Sequence, residues 1–132
     1  MTEELKPEHR ARVILVVEAD FLTRWGASEY LREIGFEVIE AVNAEEAFAA
    51  LHAATLIDAI FCDSDAISGH QGSGFLACLD DRHPNLPVLL ISNGVAAGEL
   101  KPMPTRASIG KPYRMIDVEQ QLNALIAEGN QK

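Results

Sequence analysis

The sequence predicts an α/β protein built on a doubly wound five-stranded parallel sheet with helices on both faces. Five short apolar runs are rich in Ile, Val, Leu and Phe and are mostly continuous, which is typical of parallel strands covered on both sides. They span residues 13–17, 36–41, 57–62, 88–91 and 107–109. Segments with helical spacing separate these runs, and the alternation favours right-handed crossover connections.

Length and charge limit the classes of protein that the chain can belong to. At 132 residues it has the size of one domain, which we expect to span 1–132 with its core at about 12–127. The net charge of -9 disfavours binding to nucleic acids and to anionic membrane surfaces. No apolar run reaches the length of a signal peptide or a membrane span, so we expect a cytoplasmic protein. Cys62 and Cys78 lack metal or redox spacing and are expected to be buried as small apolar residues.

Helix signals fill the gaps between the predicted strands. The first helical segment ends at Gly35, which we interpret as a C-terminal cap, and the second begins after Asn43, with Glu46 as the partner in a capping box. A third helix is predicted at about 74–82 and a last one at about 115–127. Segment 94–106 contains two glycines and two prolines, so at most a short helix at 95–100 is expected there.

The apolar residues of the first helical segment are Phe21, Leu22, Trp25, Tyr30, Leu31 and Ile34, and we expect Trp25 to be packed or partly exposed. The last helix is expected to have Ile116, Val118, Leu122, Leu125 and Ile126 on its inner side.

Charged residues stand where the predicted strands end. Asp63 directly follows the third run, Glu18 and Asp20 follow the first, and Lys111 follows the last. Open α/β sheets place their functional sites beyond the carboxyl ends of the strands. If the strands are parallel neighbours, these acids and the lysine converge on one edge of the sheet.

The chain resembles the receiver domain of two-component response regulators over residues 12–126. The matching pieces are Val-Val-Glu-Ala-Asp at 16–20, Gly-Phe-Glu-Val-Ile-Glu-Ala at 35–41, Asn-Ala-Glu-Glu-Ala at 43–47, Phe-Cys-Asp at 61–63, Leu-Pro-Val-Leu-Leu-Ile-Ser at 86–92 and Gly-Lys-Pro-Tyr at 110–113. Their order and spacing together make the signal specific. The resemblance implies a flavodoxin-like strand order of 2-1-3-4-5.

The resemblance also implies a phosphoacceptor site at Asp63. The donor would be a histidine kinase or a histidine phosphotransfer protein, and Mg²⁺ would neutralise the charge that develops on the moving phosphoryl group. The metal would be held by Glu18, Asp63 and the backbone carbonyl of Asp65, with Asp20 as a further acidic candidate. Hard oxygen ligands are those that Mg²⁺ prefers.

Three further positions match the family's site. Lys111 matches the lysine that pairs with a phosphoryl oxygen, and Pro112 suggests the Lys-Pro bond that is usually cis. Ser92 matches the hydroxyl residue that moves toward the phosphoryl group on activation. Gly72 matches the glycine of the loop that follows the acceptor.

The chain departs from the family's pattern at several positions. Ala19 replaces the acid that normally ligates Mg²⁺, so metal affinity should fall, and Asp20 could compensate only if its loop rotated. Ser108 replaces an aromatic residue that couples to the hydroxyl switch. Ala66 and Ile67 replace the usual Met-Pro. We therefore expect a nonstandard contact with the output partner.

Three functional hypotheses follow from the residues and the resemblance. In the first, the chain is a stand-alone receiver that is phosphorylated on Asp63 and signals through a downstream protein partner or a phosphorelay, with a homodimer as a further possibility. In the second, it is a pseudo-receiver that mediates protein interactions without phosphorylation. In the third, it is a small phosphatase-like enzyme in which Asp65 lies at the position of a general acid.

Overall fold

One parallel five-stranded sheet forms the centre of the molecule. The computed structural model describes residues 10–53, 56–68, 74–92 and 103–129. The strands are β1 (Val13–Val17), β2 (Glu37–Ala41), β3 (Ala59–Asp63), β4 (Val88–Ser92) and β5 (Arg106–Gly110), in the order β2-β1-β3-β4-β5. The predicted fold class and strand order are confirmed. The register pairs Val17 with Cys62 and Asp63 with Ile91, which aligns the carboxyl ends of the three central strands.

Four helices cover the sheet within the described ranges. They are α1 (Phe21–Glu33), α2 (Ala44–Ala53), α3 (Phe75–Arg82) and α4 (Met115–Gly129), and one turn of 3-10 helix, Ser64–Ile67, follows β3. The short helix predicted at 95–100 and the predicted loop glycine, Gly72, lie outside the described residues. None of the helices described is long and apolar enough to cross a membrane.

The core consists of two apolar layers, one on each face of the sheet. Leu15 and Val17 of β1 face α2 and α3, whereas Ile14 and Val16 face α1 and α4. β3 and β4 are buried along their whole length. This two-sided burial explains why the strand sequences are continuously apolar instead of alternating.

Helix ends follow the local signals. Asn43 Oδ1 accepts a hydrogen bond from the Glu46 amide at 2.9 Å, and the Glu46 carboxylate accepts one from the Val42 amide at 2.9 Å, so the predicted capping pair forms. Gly35 follows the last turn of α1 with φ of 109°, a conformation that favours glycine.

The large apolar residues in the first turns of α1 lie on its outer side. Phe21, Leu22 and Trp25 are 63%, 72% and 55% exposed, and Ile34 is also exposed. The buried face of this helix is formed by Ala27, Ser28 and Leu31. Small residues at 27 and 28 allow the helix backbone to approach the sheet closely, which leaves the large residues of the first turns on the outer side.

Two other burial assignments have different outcomes. Ile116, assigned to the inner side of the last helix, is exposed in its first turn, whereas Val118, Leu122, Leu125 and Ile126 are buried as predicted. Cys62 is buried and Cys78 is half-buried, and both are free thiols. Burial, followed by the charge of Asp63, raises the pKa of the Cys62 thiol to about 12.

A buried arginine secures the amino edge of the sheet. Arg106, the first residue of β5, has a side chain with no exposed surface and forms an ion pair with Asp80 of α3 at 3.1 Å. Its guanidinium also donates hydrogen bonds to the backbone carbonyls of His83 and Leu86. The end of α3 and the turn after it are thereby fixed to β5.

Candidate functional site

Four of the predicted site residues lie at the carboxyl edge of the sheet. Asp63 is the last residue of the central strand β3 and is only 6% exposed, and Ser92 is the last residue of β4 and is buried. Glu18 directly follows β1, and its amide donates a hydrogen bond to the Ala41 carbonyl of β2. Lys111 directly follows β5, and its amide donates to the Ser92 carbonyl at 2.9 Å. The parallel topology therefore brings these residues together.

The Asp63 carboxylate has a partner on each oxygen. Lys111 Nζ lies 2.6 Å from Oδ2, and the amide of Asp65 donates to Oδ1 at 2.8 Å. The hydrogen bond to Asp63 is the main reason that the pKa of Lys111 is raised above its ordinary value. Lys111 Nζ also lies 3.8 Å from Asp65 Oδ2, so one ammonium group serves two carboxylates.

An open cleft of about 720 Å³ lies above these groups. Its lining residues are Glu18, Ala19, Asp20, Thr23, Asp63, Asp65, Lys111, Pro112 and Tyr113. Every acidic residue predicted for the site is in this lining. The cleft thus holds a buried acid, an ammonium group and three further carboxylates in contact with solvent.

The Glu18 carboxylate is partly withdrawn from water. Burial raises its pKa, the hydrogen bond that it accepts from the Asp20 amide at 2.9 Å opposes that change, and the charge of Asp63 adds to it. A carboxylate with a raised pKa beside a second, buried carboxylate creates negative potential at the cleft floor. Such a site attracts cationic groups.

Asp20 lines the cleft and also begins α1. Its Oδ2 accepts hydrogen bonds from the Thr23 hydroxyl at 2.7 Å and from the Thr23 amide at 2.8 Å. The Thr23 hydroxyl is the main cause of the lowered pKa of Asp20, and the amide is the second. The residue is therefore an N-terminal cap, a function that the sequence analysis did not assign to it.

The cleft contains oxygen atoms of the type that Mg²⁺ prefers. Glu18, Asp63 and Asp65 carry hard carboxylate oxygens, and the Asp65 backbone carbonyl, the third ligand implied by the resemblance, accepts a hydrogen bond from Ser68 Oγ at 2.9 Å. Ala19 contributes only a methyl group. Among the residues described, no group of three or more His, Cys, Asp or Glu side chains is arranged to hold a metal ion. In this arrangement Lys111 provides the positive charge beside Asp63.

Tyr113 is a site residue that sequence reasoning missed. It lines the cleft, and its ring is half-buried and packs edge-to-face on Phe61, with ring centroids 6.1 Å apart. Burial, and then the charges of Glu18 and Asp63, raise the pKa of its phenol. Its place two residues after Lys111 was the available signal, because a residue so close to a strand end lies at the same edge.

The remaining predicted features have mixed outcomes. The Lys111–Pro112 peptide bond is cis, as the resemblance implies. Ser108 is exposed on β5, whereas Ala66 and Ile67 are buried in the 3-10 turn after Asp63.

Several solved structures share this fold. A response regulator receiver protein from Sinorhizobium medicae has a TM-score of 0.78 and 18% identity, over 91% of this chain and 98% of its own. A CheY-like response regulator receiver domain protein from Methanospirillum hungatei has a TM-score of 0.77 and 17% identity, over 92% and 98%. The signal receiver domain of an HD domain-containing protein from Pseudomonas fluorescens has a TM-score of 0.76 and 16% identity, over 93% and 100%.

The chain therefore has the fold of response regulator receiver domains. No protein-family model matches the sequence, and no curated protein matches it. At these identities the likeness to solved structures establishes the fold.

Proposed function

We propose that this protein is a response regulator receiver in which Asp63 accepts a phosphoryl group from a histidine kinase or a histidine phosphotransfer protein. One observation carries the proposal: a buried aspartate ends the central strand, is paired with Lys111 at 2.6 Å, and shares its cleft with Glu18. A nucleophilic carboxylate, a mobile cation and acidic metal ligands are the groups that this phosphoryl transfer requires.

The transfer forms one bond and breaks one. An oxygen of Asp63 attacks the phosphorus of phosphohistidine, a P–O bond forms, and the P–N bond breaks with its electron pair retained by the imidazole nitrogen. The product is an acyl phosphate on Asp63. The open cleft leaves room for the donor imidazole to approach in line.

Lys111 and Ser92 have complementary functions in this proposal. As negative charge spreads over the phosphoryl oxygens, the Lys111 ammonium moves its hydrogen bond from Asp63 Oδ2 to one of them. Ser92, at the end of the neighbouring strand, donates a hydrogen bond from its hydroxyl to another oxygen and in this way responds to the modified state.

Glu18, Asp20, Asp63 and the Asp65 carbonyl would hold Mg²⁺, weakly because Ala19 lacks a ligand. When bound, the ion supplies additional positive charge for the phosphoryl oxygens. With or without the ion, Asp63 is oriented for attack, because the Asp65 amide fixes one of its oxygens.

The proposed partners are proteins. The net charge of -9 disfavours nucleic acid and anionic membranes as direct partners, so the output passes to a downstream protein in the cytoplasm or through a phosphorelay. Homodimerisation is one form that this output could take. Any catalysis by the chain is restricted to phosphotransfer to itself and to loss of its own phosphoryl group.

The first test is intact mass after incubation with acetyl phosphate, with and without Mg²⁺. We expect the native chain to gain one phosphoryl group, faster with Mg²⁺, and Asp63→Asn to gain none. Asp81→Asn, which removes an exposed carboxylate of α3, is the matched control and should behave like the native chain. A gain of mass in Asp63→Asn would contradict the assignment of the acceptor.

A pseudo-receiver is the second candidate, favoured by Ala19 and by the Lys111–Asp63 ion pair, which neutralises the site without a metal. Such a protein would bind its partner equally well as native chain and as Asp63→Asn. Failure of the native chain to gain a phosphoryl group, both from acetyl phosphate and from phosphorylated histidine phosphotransfer proteins, would favour this function over the first.

A further inference from the structure

Two spaces meet at the carboxyl edge of the sheet. A small cavity of about 10 Å³, roughly the space of one water molecule, adjoins the open cleft. Four residues line both spaces, namely Glu18, Thr23, Asp63 and Tyr113. The rest of the cavity wall is apolar and comes from Val16, Val17, Ala27, Phe61 and Ile91. The four shared residues therefore form the floor of the cleft, and Tyr113 is the only aromatic residue among them.

Packing restricts where the Tyr113 ring can lie. Its ring plane makes an angle of 86° with that of Phe61, a favourable edge-to-face arrangement, and it packs against the apolar layer that faces α1 and α4. Phe61 is itself fixed, because it belongs to the fully buried strand β3 two residues before Asp63. The ring is thus positioned by the same strand that presents the acceptor.

The other hydroxyl group of the floor is already engaged. Thr23 Oγ1 donates its proton to Asp20 Oδ2 at 2.7 Å as part of the α1 cap. A phenol has an ordinary pKa of about 10, so Tyr113 is a neutral donor at physiological pH. The site already contains several carboxylates that repel an incoming anionic oxygen. A neutral hydroxyl donor can bind that oxygen without adding further negative charge.

We propose that Tyr113 is a further catalytic residue of the Asp63 site, whose hydroxyl donates a hydrogen bond to an oxygen of the transferred phosphoryl group. This inference rests on the proposed phosphoacceptor function. Tyr113 keeps its proton throughout, and the only bonds that change are the P–O bond formed at Asp63 and the bond from phosphorus to the leaving group. Because Ala19 cannot ligate a metal ion, some stabilisation of the phosphoryl oxygens is lost. The hydrogen bond from Tyr113 offsets part of that loss.

The test compares Tyr113→Phe with the native chain in single-turnover phosphorylation by acetyl phosphate at a series of concentrations. Phenylalanine keeps the ring on Phe61 and removes only the hydroxyl. We expect the maximal rate constant to fall about tenfold, the half-saturating concentration to change little, and the melting temperature to stay the same. Tyr30→Phe is the matched control, because the Tyr30 hydroxyl donates to Glu119 at 2.8 Å between α1 and α4, and its rate should be native.

A spectroscopic measurement on the native chain supports the comparison. With ¹³Cζ-labelled tyrosine, addition of beryllofluoride, a phosphoryl analogue, should shift the Tyr113 resonance and leave that of Tyr30 in place. Native phosphorylation rates in Tyr113→Phe, or an unmoved Tyr113 resonance in a chain that is phosphorylated, would overturn this inference and leave the receiver function standing. A native chain that gains no phosphoryl group would overturn both.

Discussion

Asp63 is a buried acid that depends on its neighbours for neutralisation. Lys111 takes one carboxylate oxygen and the Asp65 amide takes the other. Removal of water from a carboxylate is costly unless such partners replace the water. The main partner is Lys111, whose side chain is 33% exposed. In the proposed phosphoryl transfer, Lys111 therefore moves from Asp63 to a phosphoryl oxygen without being extracted from the core.

Glu18 contributes to stability in a pH-dependent way. Because burial raises its pKa in the folded state above the ordinary value of 4.5, the folded protein binds this proton more tightly than the unfolded chain does. The resulting stabilisation is present below that ordinary value and is lost as pH rises through the folded pKa. We expect Glu18→Gln to melt a few degrees higher than the native chain at pH 7 and at nearly the same temperature at pH 4. If the melting temperatures of the variant and the native chain differed by the same amount at pH 4 and pH 7, the upward direction of the Glu18 pKa shift would be contradicted.

Asp20 has a cap function and a proposed metal function that one substitution can separate. Serine caps helices about as well as aspartate, so Asp20→Ser should leave the free energy of unfolding nearly unchanged. It removes a carboxylate from the cleft, so the Mg²⁺ concentration for half-maximal phosphorylation should rise several-fold. Asp20→Ala should raise the Mg²⁺ requirement in the same way and also lower the free energy of unfolding, because alanine cannot cap the helix. An unchanged Mg²⁺ requirement in Asp20→Ser would restrict Asp20 to capping.

Local side-chain interactions fix the chain just after two of the strands. α2 begins at a reciprocal pair between Asn43 and Glu46, directly after β2 ends at Ala41. Strand β3 ends at Asp63, whose side chain caps the 3-10 turn that follows. The direction of the chain after β2 and after β3 is therefore specified within a few residues.

The α2 cap can be tested by itself. Asn43→Ala should lower the free energy of unfolding by about 1 kcal/mol, because the Glu46 amide loses its acceptor. Asn43→Asp keeps an acceptor and should change this free energy by no more than a few tenths of a kcal/mol. Urea unfolding followed by circular dichroism measures both. An equal loss in the alanine and aspartate variants would show that the cap bond is not the source of the effect.

The two edges of the sheet carry different sets of polar residues, and the candidate site lies at only one of them. At the amino edge of the sheet, Arg106 joins β5 to α3, and Asp58 accepts hydrogen bonds from Arg10 and from the Val13 amide. At the carboxyl edge lie Asp63 and Lys111. The five parallel strands separate the two edges, so stability and chemistry can be altered independently.

Arg106→Met tests this separation. Loss of the guanidinium removes the ion pair with Asp80 and the hydrogen bonds to the His83 and Leu86 carbonyls, and we expect a loss of about 2–4 kcal/mol in the free energy of unfolding. Phosphorylation of Asp63 below the melting temperature should keep its native rate. Arg114→Met, which removes a 76% exposed side chain, should cost less than about 1 kcal/mol. A slower phosphorylation rate in the folded Arg106→Met variant would show that the two edges are coupled.

Much of the fold could be predicted from local sequence. A strand buried on both faces must be apolar at every position, so β1, β3 and β4 were recognisable from composition alone, and the polar residues that interrupt them, Glu18 and Asp63, marked the functional edge. Asn43 and Gly35 were readable as caps because their hydrogen bonds and backbone angles involve only near neighbours.

The tertiary structure decided what depends on contacts between distant residues. Helical spacing marks the apolar positions of α1, but only packing on the sheet buries Ala27 and leaves Trp25 exposed. The place of Tyr113 at the site follows from its packing on Phe61, about fifty residues earlier in the chain. Local sequence determines which backbone conformations and burial patterns are favourable, whereas the partner of a side chain is set by how strands and helices meet in space.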